Sequence, residues 1–195
     1  MADIRSRSGL CAAVIVSTLS TGAMAQVLLT VDLSVVDQIT ISATGGLSAA
    51  TTSGSDTIGV YFQDFYNGVG SSLSAGLDSG NLTNAENPTD NTPSLFRGGG
   101  GTDTGLNLWS FSSDSTVTFT AGSQAFTGTA TWDLDSAMYA DMLAGNSSGD
   151  LYFAADTFDD LPGAVVLGQY QVIPTPGVLA VAGAGLGFGA MRRRR

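Results

Sequence analysis

The sequence predicts an all-β protein: a single β-sandwich or jelly-roll-like domain with one short helix. Three observations lead there. Apolar and polar residues alternate with period two through much of the middle of the chain, as strands with one buried face require. Charged residues make up only 12%, about half the ~25% usual in a soluble domain. Gly is frequent, at 26, and with Ser, Thr and Asp it fills the gaps between apolar runs, which is the chemistry of turns.

The elements follow in order. Val27, Leu29, Val31, Leu33 and Val35 alternate with Thr30, Asp32 and Ser34. Ile39, Ile41 and Ala43 continue the pattern up to Gly45 and Gly46. Ile58, Val60 and Phe62 alternate around Gly59 and Tyr61. Residues 106–111 are apolar on both faces and include Trp109. Val117 and Phe119 are expected to pair with Phe126, Ala130 and Trp132 across a turn at residues 121–124. Residues 151–155 and 164–172 bring the total to about eight strands, the spacing of a sandwich or jelly roll. One helix is expected, with Asp135 or Ser136 as N-cap, Met138, Met142 and Leu143 on one face, and Gly145 at the stop. Residues 68–104 are the least regular stretch and are expected to form a long loop, most flexible at 98–101.

Two end segments flank this domain. Arg5 and Arg7 precede a ten-residue apolar run, residues 10–19, and Ala23-Met24-Ala25 fits the small-x-small rule with cleavage before Gln26. Residues 1–25 therefore read as a signal peptide, handled by the Sec translocon and signal peptidase. The run is too short for a membrane span, which needs ~20 residues. At the other end, Pro174, Thr175 and Pro176 lead into residues 177–191, which carry no charge, and Arg192, Arg193, Arg194 and Arg195 follow. Residues 177–191 are expected to form a hydrophobic helix. At 1.5 Å per residue, fifteen residues cover about 22 Å of a ~30 Å hydrocarbon core, a deficit that snorkelling arginines and local thinning would reduce. The arginines should remain cytoplasmic. The expected organisation is a signal peptide at 1–25, a β domain at 26–171 and a sorting tail at 172–195.

The tail, taken with the signal peptide, resembles the PEP-CTERM sorting signal: a proline motif, a short apolar helix and a terminal arginine cluster. The resemblance covers Pro174, Thr175 and Pro176 with Arg192 to Arg195. Thr175 stands where the name-giving motif has Glu. It implies export in a Gram-negative bacterium and processing by exosortase, a membrane-embedded cysteine transpeptidase. It also implies an association with exopolysaccharide or the cell surface, after at least transient anchoring in the inner membrane.

Charge and residue usage exclude several functions. Residues 26–173 contain sixteen acids and one base, Arg97, a net −15. Such a surface repels nucleic acid and anionic lipid and suits cations or basic partners. The chain has no His, so Ser-His-Asp catalysis, His acid–base catalysis and His-ligated metals are excluded. The only Cys, Cys11, lies in the signal peptide, which leaves the mature domain without thiol chemistry.

Three kinds of candidate site remain. Asp64, Asp133, Asp135, Asp156, Asp159 and Asp160 are the acids available for a paired-carboxylate glycosidase, with Asp133 and Asp135 two residues apart before the helix. Asp135 is also a natural helix cap. Asp156, Asp159 and Asp160, close together after a strand, could supply oxygens to Ca²⁺, although they also suit a turn. Phe65 and Tyr66, before Asn67-Gly68, are expected to be exposed and to offer a stacking surface to a sugar. Phe62, Trp109 and Trp132 are expected in the core. The overall expectation is an exported structural protein of the cell surface or extracellular matrix, without catalytic activity. A carbohydrate-binding module acting on exopolysaccharide and a glycoside hydrolase using paired Asp are the alternatives.

Overall fold

The computed structural model describes residues 26–88, 93–109 and 115–173. The chain is all-β, as its alternation predicts. The strands are β1 Val27–Asp32, β2 Gln38–Ala43, β3 Thr52–Ser55, β4 Val60–Phe62, β5 Leu73–Ala75, β6 Ser79–Gly80 and β7 Thr83–Asn84. They continue with β8 Ser94–Arg97, β9 Leu106–Trp109, β10 Thr116–Phe119, β11 Phe126–Thr127, β12 Thr129–Asp133, β13 Ser148–Phe153 and β14 Val165–Ile173. Helix α1 spans Ser136–Leu143, and a 3₁₀ helix spans Phe158–Gly163.

Ten strands make one sheet in the order β5-β8-β9-β4-β13-β14-β1-β2-β12-β6. The pairs β10-β3 and β11-β7 form two small ribbons. The sheet curls on itself. Trp132 of β12, near one edge, donates its indole N–H to the carbonyl of Pro93, just before β8 near the other edge, at 3.1 Å. The first and last strands meet in its interior, where β1 lies parallel to β14 with Val31 opposite Val172 and Asp32 opposite Ile173. One face buries Leu29, Val31, Ile39, Ile41, Phe62, Leu106, Leu108, Leu151 and Leu167. The ribbons close over this core through rings: Phe119 lies 5.3 Å from Phe126 and 5.1 Å from Phe153.

Several expectations are corrected. β1 stops at Asp32; the chain then turns through Asp37 at φ 59°, which leaves Val35 exposed rather than continuing the strand. Val117 and Phe119 do not form a hairpin with the following strands. β10 pairs with β3, β11 with β7, and β12 with β2, where Ala130 faces Ile41 and Trp132 faces Ile39. Alternation fixes which face of a strand is buried but not which strand lies beside it. Phe119 and Phe126 still meet, as rings across the core instead of neighbours in a ladder.

Residues 68–104 are not a long loop. They contain β5, β6, β7 and β8, strands of two to four residues that are too short to show a period. Glycine serves the turns around them: Gly68, Gly80, Gly99, Gly100 and Gly101 all have positive φ. Helix α1 starts where predicted: the Asp135 carboxylate accepts from the N–H groups of Ala137 and Met138 at 3.0 and 2.8 Å. Its buried face, however, is Tyr139 and Met142, and Leu143 is 48% exposed. Tyr139 reaches inward because its hydroxyl donates to the carbonyl of Leu33 at 2.6 Å. Gly145 follows the helix, its N–H donating to Met142 O at 3.1 Å.

β14 extends to Ile173, so Val172 and Ile173, assigned above to the tail, pair with β1. The signal peptide, its cleavage residues Ala23 and Ala25, the motif Pro174 to Pro176, the hydrophobic segment 177–191 and Arg192 to Arg195 lie outside the described residues. Among the described residues no helix is long and apolar enough to cross a membrane.

Candidate functional site

The only base between residues 26 and 173 organises one side of the molecule. Strand β8 turns Arg97 inward, where the residue is 2% exposed. A buried guanidinium must use its five N–H donors or bear a large desolvation penalty. Nε donates to the carbonyl of Asp103 at 2.8 Å, Nη1 to Ser71 O at 3.2 Å and Nη2 to Gly68 O at 2.5 Å. Nη1 also lies 3.6 Å from Asp141 Oδ2 on α1, and that same oxygen accepts from the N–H of Ser71 at 2.5 Å. The guanidinium stacks on the ring of Tyr66, 3.8 Å from its centroid. One cation thus joins β8, the chain before β5, the glycine turn and α1.

This arrangement overturns the exposed reading of Phe65 and Tyr66, which are 1% and 4% exposed. Phe65 packs edge-on against Phe62 at 6.0 Å and against Tyr170 at 5.6 Å. Arg97 covers one face of Tyr66. Burial raises the Tyr66 hydroxyl well above its ordinary pKa. Among the described residues the Tyr66 hydroxyl has no hydrogen-bond partner, and Tyr66 lines a cavity of about 40 Å³ with Arg97 and Asp141, room for a water. Neither aromatic ring is available to a sugar.

Beside Arg97, Asp103 anchors the next layer. Its Oδ1 accepts from the hydroxyl of Tyr61 and from the N–H of Gly105, the latter at 2.8 Å. A glycine is required at 105, because a Cβ there would lie 1.9 Å from the Tyr61 ring. The other carboxylate oxygen, Oδ2, accepts from the N–H of Phe158 at 3.0 Å. Burial first, then the Asp103 carboxylate, raises the Tyr61 hydroxyl far above its usual range. Asp103 therefore fixes the start of the 3₁₀ helix onto the outer side of β4.

The helix is further held by Asp160, whose Oδ2 accepts from the N–H groups of Asp156 and Thr157 at 3.3 and 3.2 Å and from the Thr157 hydroxyl at 3.1 Å. This is a capping box, with Thr157 at the N-cap. Burial, and then the bond to and charge of Asp160, push the Asp156 carboxyl up to about 6. The bond from Asp156 holds Asp160 below its ordinary value. Of the three calcium candidates, Asp160 is thus turned to capping, and Asp159 faces outward into the hollows described next. Among the described residues no three carboxylates converge as a metal site.

The capped helix presents Phe158, whose large apolar side chain is 58% exposed. Two open hollows flank it. One, of about 450 Å³, is lined by Gly99, Thr102, Asp103, Thr104 and Thr157. The other, of about 390 Å³, is lined by Gln63, Tyr152, Leu161 and Pro162. Phe158 and Asp159 border both and form the ridge between them.

Of the glycosidase candidates, Asp159 forms part of this ridge, and Asp156 and Asp160 lie at the start of its helix. Asp135 caps α1, and Asp133, at the end of β12, accepts from Gln38 Nε2 at 3.2 Å. Asp64 sits at positive φ, 3.5 Å from the Thr104 hydroxyl. Sequence reasoning missed both Arg97 and Phe158. A lone base among sixteen acids was the available signal for the first. For the second it was an aromatic residue set among Thr, Asp and Pro, which are turn formers with nothing to bury it. No family model, curated protein or solved structure matches the chain.

Proposed function

We propose that this chain is an exported protein of the cell surface or extracellular matrix, whose one β domain is displayed while its C-terminal tail sorts or holds it. One observation carries the reading. β14 lies inside the sheet, between β13 and β1, and runs to Ile173, one residue before Pro174. The domain is thus complete where the tail begins. β14 ends beside the β1–β2 turn, where Val35 and Val36 are exposed. The signal-peptide pattern before Gln26 and the apolar and arginine-rich pattern after Pro176 support the same reading. The partners it implies are the Sec translocon, signal peptidase and an exosortase-like transpeptidase.

Fractionation of the native host combined with mass spectrometry of the mature ends tests this. The expected product begins at Gln26 and appears in membrane, surface or extracellular fractions. Full-length protein stable in the cytosol would overturn the reading.

A further inference from the structure

We propose that the Phe158 ridge is a binding site for a saccharide chain that carries no acidic groups. The ring is the starting point. A single exposed apolar side chain is ordinary on a protein surface. Phe158 differs in being fixed and flanked. Asp103 holds its backbone N–H, the Thr157–Asp160 box caps its helix, and Pro162 stiffens that helix from within. A backbone held this firmly leaves only the ring's own torsions to be ordered when something stacks on it.

The hollows supply the second argument. Each is in the ~300–1,000 Å³ range of small-molecule sites, and they lie on either side of one ring. That suits a ligand of repeating units, with one unit over the ring and its neighbours in the hollows. The walls combine apolar surface from Phe158, Leu161 and Pro162 with hydroxyl, amide and carboxylate groups from Thr102, Gln63 and Asp159. A pyranose has the matching character: an apolar C–H face for the ring and hydroxyl groups that donate to carboxylate and amide oxygens.

Charge selects the kind of saccharide. Asp103 and Asp159 line the site, and the domain carries a net −15. Its one base, Arg97, is buried beneath Tyr66 and turned toward backbone carbonyls. Nothing in the site can neutralise a uronate or a sulfate, so acidic chains are repelled. Neutral chains are accepted, and amino sugars gain from Asp159.

Titration calorimetry on the full chain in detergent tests the proposal. The probes are hexasaccharides of β-1,4-glucose, β-1,3-glucose and β-1,4-mannose, a chitosan hexamer, and an alginate hexamer as the acidic control. At least one of the first four should bind, and alginate should not. Phe158→Ala should weaken binding at least about tenfold, a loss of about 1.4 kcal/mol, while Phe158→Tyr keeps it. If the alanine variant does not fold, Asp159→Lys on the same ridge replaces it and should weaken binding of the neutral chains several-fold. Three results would overturn the proposal: no binding to any of the four, a preference for alginate, or undiminished binding by the ridge variant. None of these depends on where the host sends the protein, so failure here is separable from failure of the export reading.

Discussion

Two sides of this domain are held together by different means. On the side of β14, β1, β2 and β12, long ladders bury alternate aliphatic residues, and cohesion comes from apolar area removed from water. On the side of β8, β5 and the glycine turn, strands are three or four residues long, and one guanidinium supplies directional bonds to the loops around them. Area is forgiving, because no single methylene carries much of it. A hub is not, because every segment tied to it loses its partner at once.

The largest expected effect tests that difference directly. Arg97→Met keeps the volume but leaves three carbonyls without their donor and the Asp141 carboxylate without its counter-charge. It should cost about 3–5 kcal/mol of folding stability, since each buried carbonyl left unpaired costs about 1–3 kcal/mol. On the other side Ile41→Val should cost only about 0.5–1.5 kcal/mol. Denaturant unfolding measures both. Equal losses would erase the distinction between the two sides.

An intermediate effect sharpens it. Asp135→Ala removes the N-cap of α1, the helix that presents Asp141 to Arg97. A loss of about 1 kcal/mol is expected, as for other caps. Hydrogen exchange should show the loosening concentrated in α1 and around Ser71, with β1 and β14 unaffected. Uniform loosening would mean that the two sides are not separable.

The smallest effect concerns pH at the 3₁₀ helix. Asp156, raised to about 6, binds a proton more tightly folded than unfolded, so its contribution to stability is present at low pH and is lost as pH rises through about 6. Asp160 is depressed, so its contribution is present above its ordinary 3.8 and is lost as pH falls below that. Between pH 7.5 and 5 the first effect governs. The wild-type chain should gain stability relative to Asp156→Asn over that interval, read as a shift of the denaturant midpoint. Parallel profiles for the two proteins would remove the Asp156–Asp160 pair from the account.

What could be read from the sequence follows the same division. The runs at Val27 to Asp32 and Ile39 to Ala43 announced their strands because each has a buried face and enough residues to repeat. Asp135 announced its helix through capping chemistry. β5 to β8 gave no such signal, since two to four residues show no period. Phe65 and Tyr66 were misread because Asn67-Gly68 marks a turn but does not say what packs over it. Phe65 is covered by Phe62 and Tyr170, and Tyr66 by Arg97, thirty-one positions away. The site at Phe158 was illegible for a related reason: its hollows are made by residues near positions 63, 102, 152 and 158, which the side-by-side placing of β9, β4 and β13 brings together.

The pairing of β1 with β14 also governs the order of events as the protein is made. These neighbours are separated by nearly the whole length of the domain, so their ladder is the costliest loop to close. A chain emerging N-terminus first has a β1 with one open edge until residues 165–173 appear. The domain therefore cannot reach its final form until its last strand has left the ribosome. The tail that begins one residue after β14 becomes available at nearly the same moment as the strand that completes the fold.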